Sequence, residues 1–383
     1  MSIGEAFVTG WGVFLPNDPV SNDEIESVLG SVNGASTKLK ALMLRANGIH
    51  TRHYAIDRRT GRPTHSNAQL AAEAIRALAR NADFDLAEVE CLVCGTSAAD
   101  QVIPAHGSMV HAELGGPPCE VVTTAGVCCC GMSAFKYGYL SVASGSSTNA
   151  VVTGSELASP TLTAEHFRPE LDRLHAQDRE PALAVENDFL RWMLSDGAGA
   201  LRISARPRGA GPALRIDWLD ILSYAPQTPV CMFFGLRRQA DGSVTGYRSV
   251  ADPDQLCLGG YLNLGQDAGV LKDRLPVLAR QAVSQVRARR GLAAEHIDWL
   301  LPHYSSQRFR QVLFEGLADC GLKIPYEKWF TNLATRGNTG SASIYIMLEE
   351  LLSSGRLRSG QRLLCFVPES ARMTFALLHL TVV

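Results

Sequence analysis

Two hydrophobic patterns alternate along the whole chain. Short apolar runs rich in β-branched residues predict buried strands, and longer stretches with apolar residues at every third or fourth position predict amphipathic helices. The predicted strands are Glu5–Val13, Cys91–Thr96, Cys119–Thr124, Ala150–Thr153, Ala198–Ile203, Leu214–Leu222, Trp299–Pro302, Arg362–Val367 and Thr374–Val383. The predicted helices are Ala68–Asn81, Ser133–Ser144, Val277–Arg290, Arg308–Cys320 and Ser343–Ser353. This alternation predicts an α/β fold in which helices cover mixed sheets.

The two halves of the pattern resemble each other weakly, so we place two domains at 1–205 and 206–383. Each half has a strand that leads to a turn with reactive side chains, then a strand that ends near a glutamate, then a closing strand. These features are Cys128, Thr153–Glu156 and Asp196–Gly199 in the first half, and His303, Pro368–Ser370 and Arg372–Thr374 in the second. Such a duplication predicts that equivalent strand ends meet at one site.

The segment Tyr224–Leu264 fits neither half. It is rich in proline, glycine and aromatic residues, and it lies between two regions with clear periodicity. Long connections of this kind are commonly functional. We therefore predict an insertion that forms a lid or a tunnel wall.

Composition and charge exclude several classes of protein. Of the 383 residues, 46% are hydrophobic and 19% are charged, and the net charge is −2, which argues against a broad nucleic-acid-binding face. No apolar run approaches the roughly 20 residues that a membrane span requires. The start Met1–Glu5 lacks the basic region of a signal peptide, so we expect a cytoplasmic protein with neither nucleic-acid nor membrane partners.

Ten cysteines raise the question of disulfides and metals. Three of them are consecutive and the chain lacks an export signal, which favours reduced thiols. Cys91 and Cys94 have the spacing of a metal-ligand pair, but they lie in a predicted buried strand without a second pair at zinc spacing. We therefore expect no metal site.

The triplet Cys128–Cys130 is the strongest chemical feature of the chain. It follows a predicted strand and begins a helix-like run, and the positive end of a helix dipole favours thiolate over thiol. Far downstream, His303 and Asn338 supply an imidazole and an amide. A Cys, a His and an Asn that meet in the fold are suited to acyl-thioester chemistry, whereas a lone Cys is usually a small core residue.

Five further motifs occur in a specific order. They are Gly12–Pro16, Gly48–His53, Ser195–Ala200, Leu301–His303 and Gly337–Thr339. With them the chain resembles the thiolase superfamily nearly end to end, specifically β-ketoacyl-acyl-carrier-protein synthase III-like condensing enzymes. The resemblance implies duplicated βαβαβαββ halves in a five-layer αβαβα sandwich, and it implies a homodimer.

The resemblance also implies roles for residues of the site. The nucleophile is Cys128 when the alignment is counted back without gaps from Ser144–Gly145, and Cys129 when it is anchored on a C-x-G pattern; we prefer Cys128. A gap inside a helix would rotate its face by about 100° per residue. His303 and Asn338 would stabilise the enolate left when a malonyl thioester loses carbon dioxide.

The chain departs from the family in the loop that would supply an oxyanion-hole N–H. Val367–Met373 replaces the usual glycine-rich sequence, so the N–H of Ser370 or Ala371 would have to serve. The loop brings Arg372 to a strand end, and we predict an ion pair with Glu156, either structural or holding a proton-transferring carboxylate ionised. This pattern resembles secondary-metabolism ketosynthases that join a β-ketoacyl and an α,β-unsaturated acyl thioester into a cyclohexanedione on the way to dialkylresorcinols.

A second departure concerns the acyl donor. Housekeeping members have a Trp that stacks on the adenine of coenzyme A, and Leu42–Asn47 has no aromatic residue there. We therefore expect acyl-carrier-protein thioesters as donors, with coenzyme A thioesters as the alternative and no resident cofactor. Arg308, at the family's docking position, and Arg310 would meet an acidic carrier protein, with Arg287, Arg289 and Arg290 either adding to this face or simply solvated.

The sequence thus predicts a ketosynthase, an acyltransferase that condenses acyl thioesters through a Cys-bound intermediate. Two alternatives stay open. One is an acyltransferase of the same fold that esterifies a hydroxyl or amine without decarboxylation. The other is a non-catalytic subunit that completes a heterodimer.

Overall fold

The computed structural model describes residues 4–32, 37–176, 189–207, 212–239 and 241–383, with only the backbone described at 37–39 and 174–176. The strands are β1 Phe7–Phe14, β2 Val20–Ser21, β3 Thr51–Arg52, β4 Cys91–Thr96, β5 Glu120–Ala125, β6 Asn149–Glu156, β7 Gly197–Ser204, β8 Leu214–Ser223, β9 Met232–Phe233, β10 Leu236–Arg238, β11 Val244–Gly246, β12 Gly265–Gln266, β13 Trp299–Pro302, β14 Arg362–Glu369 and β15 Thr374–Val382. The helices are α1 Ile25–Leu29, α2 Thr37–Asn47, α3 Asn67–Ala82, α4 His106–Leu114, α5 Cys128–Ala143, α6 Ala164–Ala176, α7 Asp254–Leu258, α8 Ala268–Arg290, α9 Arg308–Asp319, α10 Leu333–Arg336 and α11 Ser343–Ser353. None of the described helices is both long and apolar enough to cross a membrane.

Nine strands join in the order β13-β14-β15-β8-β1-β7-β6-β4-β5. The first half supplies β5-β4-β6-β7-β1 and the second supplies β13-β14-β15-β8, and β4–β6 and β13–β14 are the matching parallel pairs. The halves meet where β1 pairs antiparallel with β8 over two residues. In the second half a single parallel bridge between Leu300 and Trp329 takes the place of β5. The predicted duplication is therefore present in the strand order.

The helices complete the five layers expected from the resemblance. Helix α5 contacts β4 and β6 of the first half as well as β14 and β15 of the second, and α11 contacts strands of both halves. These two helices form the central layer. Helices α3 and α4 cover the outer face of the first half, and α8, which packs on α9, contacts β15 from the other side. The fold is a mixed α/β sandwich of the predicted αβαβα type.

The central layer is closely packed around Ser341, just before α11. A Cβ atom on Gly131 of α5 would lie 2.3 Å from the Ser341 carbonyl oxygen, and one on Gly154 of β6 would lie 2.4 Å from the same oxygen. The hydroxyl of Tyr345 donates a hydrogen bond to the Gly131 carbonyl at 2.7 Å. Only residues without side chains allow the backbones of the two halves to approach this closely.

The predicted elements agree with the observed ones, with differences at helix boundaries. All nine predicted strands are present within a few residues of their expected ends. Helix α8 begins at Ala268 instead of Val277, because the Asp267 carboxylate caps it by accepting from the N–H of Val270 at 2.8 Å. The segment predicted as an insertion contains the short strands β9, β10 and β11 and helix α7.

Candidate active site

Cys128 is the first residue of α5, at the position where the chain turns from β5 into the central helix. Its side chain is buried and lines a cavity of about 1050 Å³. Cys129 and Cys130 are buried too, but neither lines the cavity. The Cys129 thiol instead donates to the Val367 carbonyl at 3.3 Å, towards the second half of the sheet. The geometry therefore favours Cys128 over Cys129 as the accessible sulfur of the triplet.

The electrostatic surroundings of Cys128 differ from what the helix position alone predicts. A helix N-terminus favours the thiolate. In the folded protein, however, burial raises the pKa of the Cys128 thiol well above its ordinary value, and the negative charges of Glu369 and Glu156 raise it further. The neutral thiol is therefore the favoured form of Cys128 in the folded protein, and a reaction of its sulfur as a thiolate would need a neighbouring base to take the proton.

His303 enters the same cavity from the second half. It follows β13, and its backbone N–H donates to the Phe366 carbonyl at 2.8 Å, which fixes the chain beside β14. The side chain is buried, and burial lowers the pKa of His303 to about 4. The imidazole is consequently neutral at physiological pH, so it has one ring nitrogen that donates and one that accepts.

Asn338 also lines the cavity, and its amide is oriented by a local turn. Its backbone N–H donates to the Met193 carbonyl at 2.9 Å, and its own carbonyl accepts from Ser195 at 2.9 Å. The side-chain oxygen Oδ1 accepts from the N–H of Gly340 at 3.0 Å. Because Oδ1 is engaged in this way, the Nδ2 group remains as the hydrogen-bond donor. The three residues singled out by sequence thus come from both halves and share one cavity.

The rest of the cavity is mostly apolar. One wall is formed by the segment predicted as an insertion, through Met232, Phe233, Phe234, Leu236, Tyr247 and Leu262. The segment Tyr224–Leu264 therefore borders the cavity. Helices α8 and α9 form a further wall. Apolar lining with a few polar groups at one point is typical of pockets for small organic ligands.

Glu156 ends β6 and lines the cavity as expected, but it does not pair with Arg372. The Ser97 hydroxyl donates to one oxygen of its carboxyl group, and the N–H of Ser341 donates to the other at 3.1 Å. Burial outweighs these hydrogen bonds and raises the pKa of Glu156 to about 7. Glu156 is therefore a carboxyl group that changes charge near neutral pH.

The predicted ion pair between Glu156 and Arg372 is wrong. Met373 has a positive φ of 57° and is completely buried, so the turn between β14 and β15 directs Arg372 outwards. The exposed Arg372 side chain donates to the carbonyls of Ala225 at 3.2 Å and Thr228 at 3.4 Å. It anchors the start of the cavity wall instead of contacting the site.

The turn between β14 and β15 also contains the two N–H groups that were expected to form the oxyanion hole. The buried Glu369 carboxylate accepts from the N–H of Arg372 at 3.4 Å, and the N–H of Ala371 also lowers the pKa of Glu369 against the upward effect of burial. Ala371 does not line the cavity, whereas Ser370 does. Of the two expected donors, Ser370 is therefore the one adjacent to the cavity. From the sequence, Glu369 was placed at a strand end without being assigned a role. After burial, its carboxylate is the strongest cause of the raised Cys128 pKa.

The predicted docking arginines have different environments. Arg308 is exposed at the start of α9, next to the cavity-lining Phe309. The Arg310 guanidinium lies 4.1 Å from the centre of the Tyr326 ring. Arg287 is exposed, while Arg289 and Arg290 both contact Asp220, at 3.4 Å and 2.7 Å. The last two therefore form a structural ion-pair cluster. Leu42, in the stretch without an aromatic residue, is 62% exposed on α2.

His106 is a cavity-lining residue that sequence reasoning missed. It begins α4 and is 1% exposed, and burial lowers its pKa to about 4. One ring nitrogen lies 3.1 Å from the Ser155 hydroxyl, and the other has no partner among the described residues. His106 follows an exposed loop and belongs to no motif that the sequence revealed. Only its position in the structure, next to Ser155 and Glu156, identifies it as a candidate site residue.

The motif Ser195–Ala200 contributes by holding loops together. Asp196 is completely buried, and its carboxylate accepts from the backbone N–H groups of Ala55 and Ala158, both at 2.7 Å, and of Ser159 at 2.9 Å. These contacts fix the chain that follows Glu156. Asp196 does not line the cavity. No group of three or more potential metal ligands occurs within the described part of the chain.

Comparison with known proteins agrees with this architecture. A family model described as 3-Oxoacyl-[acyl-carrier-protein (ACP)] synthase III C terminal matches residues 288–367. The β-ketoacyl-[acyl-carrier-protein] synthase III of Bordetella petrii is 29% identical over 359 residues, which cover 94% of this chain and 93% of the relative.

Three solved structures extend the comparison to the fold. AbyA1, a tetronic acid condensing enzyme, superposes with a TM-score of 0.77 at 21% identity and covers 98% of this chain and 99% of its own. The chain has the thiolase fold. FabH from Pseudomonas aeruginosa shares it, with a TM-score of 0.70 at 23% identity and coverage of 98% of both chains. OleA from Xanthomonas campestris shares it too, with a TM-score of 0.74 at 18% identity, covering 100% of this chain and 99% of its own. Within this thiolase fold, the chain is similar in sequence to synthase III condensing enzymes.

Proposed function

We propose that the protein is a ketosynthase that condenses acyl thioesters through an acyl group bound to Cys128. The observation that carries this proposal is the convergence of Cys128, His303 and Asn338, from opposite halves, on one largely apolar cavity. A thiol nucleophile, a neutral imidazole and an oriented amide are the groups that acyl transfer followed by enolate formation requires.

The proposed reaction has two stages. In the first, the Cys128 sulfur attacks the donor's thioester carbonyl, its proton passes to a neighbouring base, and the carrier thiol leaves. In the second, a malonyl thioester loses carbon dioxide, and N–H groups of His303 and Asn338 stabilise the enolate oxygen. The enolate carbon then attacks the Cys128 thioester, so that a carbon–carbon bond forms and the cysteine sulfur is released.

The experiment follows carbon dioxide and product together. The protein is incubated with an acyl thioester and a malonyl thioester, and we expect release of carbon dioxide in step with a β-ketoacyl product. Formation of an ester or amide without carbon dioxide would favour the alternative acyltransferase. No gain of acyl mass on the protein with any thioester would indicate a non-catalytic subunit.

The finer proposal is a ring-forming reaction of a β-ketoacyl and an α,β-unsaturated acyl thioester. It needs a group that removes the acidic proton between the two carbonyls and returns a proton after Michael addition, before Claisen closure gives the cyclohexanedione. Glu156 supports it, because this carboxyl group lines the cavity and has a pKa of about 7. The neighbouring donors Ser97 and Ser341 hold it in place without an arginine.

The role of Glu156 gives a pH-dependent expectation. As a base Glu156 must be ionised, so ring formation should rise as pH increases through about 7. In Glu156→Gln we expect this dependence to disappear and the rate at pH 8 to fall by about 10²-fold. Initial rates of ring formation from pH 5.5 to 8.5 check this, with the exposed Glu165→Gln as matched control. A variant that keeps the wild-type profile would exclude Glu156 as the base.

The raised pKa of Glu156 also makes the free energy of unfolding depend on pH. Because the folded-state pKa of Glu156 lies above its ordinary value of 4.5, ionisation is harder in the folded protein. The contribution of this group to the free energy of unfolding is therefore fully present below about pH 4.5 and is lost as pH rises through about 7. Glu156→Gln should lack this decrease.

We also propose a homodimer that receives acyl groups from a carrier protein, with coenzyme A thioesters as the alternative donors and no resident cofactor. Strand β5 is at the edge of the sheet, and the adjacent loop exposes Val102 and Ile103 at 68% and 79%. A sheet edge that pairs with no other strand among the described residues, next to exposed apolar side chains, is suited to a second copy of the chain. Light scattering should give twice the monomer mass.

The exposed Arg308 side chain lies next to the cavity-lining Phe309, a position suited to an acidic carrier protein.

A further inference from the structure

Polar side chains line one end of the cavity, where strands of the first half end. Ser97 follows β4, Thr123 lies near the end of β5, and Glu156 ends β6. His106 joins them as the first residue of α4, a helix that packs on β4 and β5. The Thr123 hydroxyl oxygen accepts from the backbone N–H of Gly107 at 2.8 Å, which fixes the start of α4 against β5. This polar end contrasts with the apolar walls elsewhere in the cavity.

The His106 side chain has one nitrogen that is buried without a protein partner. The residue is 1% exposed, and its pKa of about 4 keeps the imidazole neutral at physiological pH, so that one ring nitrogen donates and the other accepts. Nε2 lies 3.1 Å from the Ser155 hydroxyl oxygen, whereas Nδ1 has no partner among the described residues. Buried polar atoms nearly always have a hydrogen-bond partner, so an unpartnered Nδ1 on a cavity-lining residue indicates a ligand atom.

The Ser155 hydroxyl determines which nitrogen of His106 carries the hydrogen. This hydroxyl is completely buried, and His106 is its one hydrogen-bond partner within the described part of the chain. If Nε2 donates to the serine, both the serine O–H and Nδ1 are left unpaired. If the serine donates to Nε2, only the N–H at Nδ1 is left unpaired. Because each unpaired buried group costs free energy, the second arrangement is favoured, and Nδ1 is a hydrogen-bond donor.

The position of α4 indicates which part of a substrate would meet His106. Helix α4 covers the outer face of the first half, whereas α9, with Arg308 at its start, packs on α8 at the opposite face of the sandwich. Cys128 begins the central layer between these two faces. A carrier arm that approaches from Arg308 would therefore leave the acyl group on Cys128 to extend towards α4.

We propose that His106 is a specificity-determining residue whose Nδ1–H donates a hydrogen bond to a carbonyl oxygen of the acyl group on Cys128. This rests on the proposed function, because it requires an acyl group at that sulfur. The preferred substrates are then oxo-substituted acyl thioesters, the class to which the β-ketoacyl thioester of the ring-forming reaction belongs. An acyl chain without this oxygen leaves the donor unpaired in a buried site, which lowers acceptance of the chain by roughly 5- to 100-fold.

The experiment compares octanoyl and 3-oxooctanoyl thioesters of pantetheine, which have equal chain length, and follows the acyl adduct by intact-protein mass spectrometry. The measured quantity is the ratio of the rate with the oxo thioester to the rate with the plain thioester at limiting concentration. Comparing this ratio between variants cancels the difference in intrinsic reactivity of the two thioesters. His106→Phe keeps a planar ring and removes the donor, and we expect the ratio to fall at least about tenfold from its wild-type value.

Two further variants and a control test the donor itself. In His106→Asn the side-chain NH2 group is as many bonds from Cα as Nδ1 is, so this variant should retain most of the wild-type ratio. Ser155→Ala allows the ring to adopt the tautomer without a hydrogen at Nδ1, and the ratio should fall by about threefold. His111→Phe is the matched control, because it makes the same substitution on the same helix at a residue outside the cavity lining.

The outcomes separate the role of His106 from the proposed function. Failure of the wild type to gain an acyl group from either thioester refutes both. Adduct formation with a ratio that neither His106→Phe nor Ser155→Ala lowers overturns the role of His106 and leaves acylation at Cys128 intact. A fall of equal size in His111→Phe has the same meaning. If His106→Phe reacts with neither thioester, that variant has lost its fold, and Ser155→Ala decides.

Discussion

Cys128→Ala should abolish the acyl adduct that the wild-type protein forms with an acyl thioester. Of the three consecutive cysteines, only Cys128 lines the cavity. Removal of a nucleophile that forms a covalent intermediate lowers turnover by on the order of 10⁴-fold or more. Alanine fits the site without added volume, so the loss should be chemical, with the fold retained. Intact mass after incubation, with condensation rates alongside, gives the result.

Cys129→Ala is the matched control for this experiment. Its thiol donates to backbone carbonyls of Val367 and Thr374, so its removal should cost some stability and leave the adduct in place. An adduct that persists in Cys128→Ala and is absent in Cys129→Ala would transfer the nucleophile to the neighbouring position. An adduct that persists in both variants would refute acylation at the triplet.

Asn338→Asp should leave acylation of Cys128 nearly unchanged and reduce carbon dioxide release by roughly 10² to 10³-fold. Aspartate keeps the side-chain oxygen that accepts from Gly340, so the turn is preserved. It removes the Nδ2 donor, and it adds a negative charge where an enolate would develop. Single-turnover measurements with the preformed acyl-protein and a malonyl thioester separate this step from acylation.

Asn338→Ala completes the comparison, because alanine removes both the acceptor and the donor. If the donor is what matters, both variants should be impaired in carbon dioxide release, and only alanine should lose the hydrogen bond to Gly340. The exposed Asn81→Ala serves as a control. Wild-type carbon dioxide release in Asn338→Asp would contradict the role proposed for the amide.

The sequence predicted the strands well because their signal is local. Buried strands such as β4, β6 and β7 each contain a short run of apolar and small residues, and every residue of each strand is buried. Helix boundaries depend on side-chain caps, and the capping role of Asp267 was missed, so α8 was predicted too short. The duplication could be recognised because the two halves repeat the same order of strand and turn.

The site was predictable where a residue's position follows from the end of a strand, and not where it depends on a turn. Cys128 and His303 follow strands, and both line the cavity. Arg372 lies in a turn whose direction is set by the positive φ of Met373, which no local pattern indicated.

The close approach of Gly131 and Gly154 to the carbonyl of Ser341 sets the distance between α5, which begins at Cys128, and the turn that contains Asn338. Helix α5 and the turn that contains Asn338 meet through backbone atoms at the middle of the molecule, and the Tyr345 hydroxyl adds a hydrogen bond to the Gly131 carbonyl. The outer helices and the wall segment Tyr224–Leu264 take no part in this contact. Substitutions in the outer helices or in the wall segment can therefore change which molecules the cavity accepts. The relative positions of Cys128 and Asn338 stay constant.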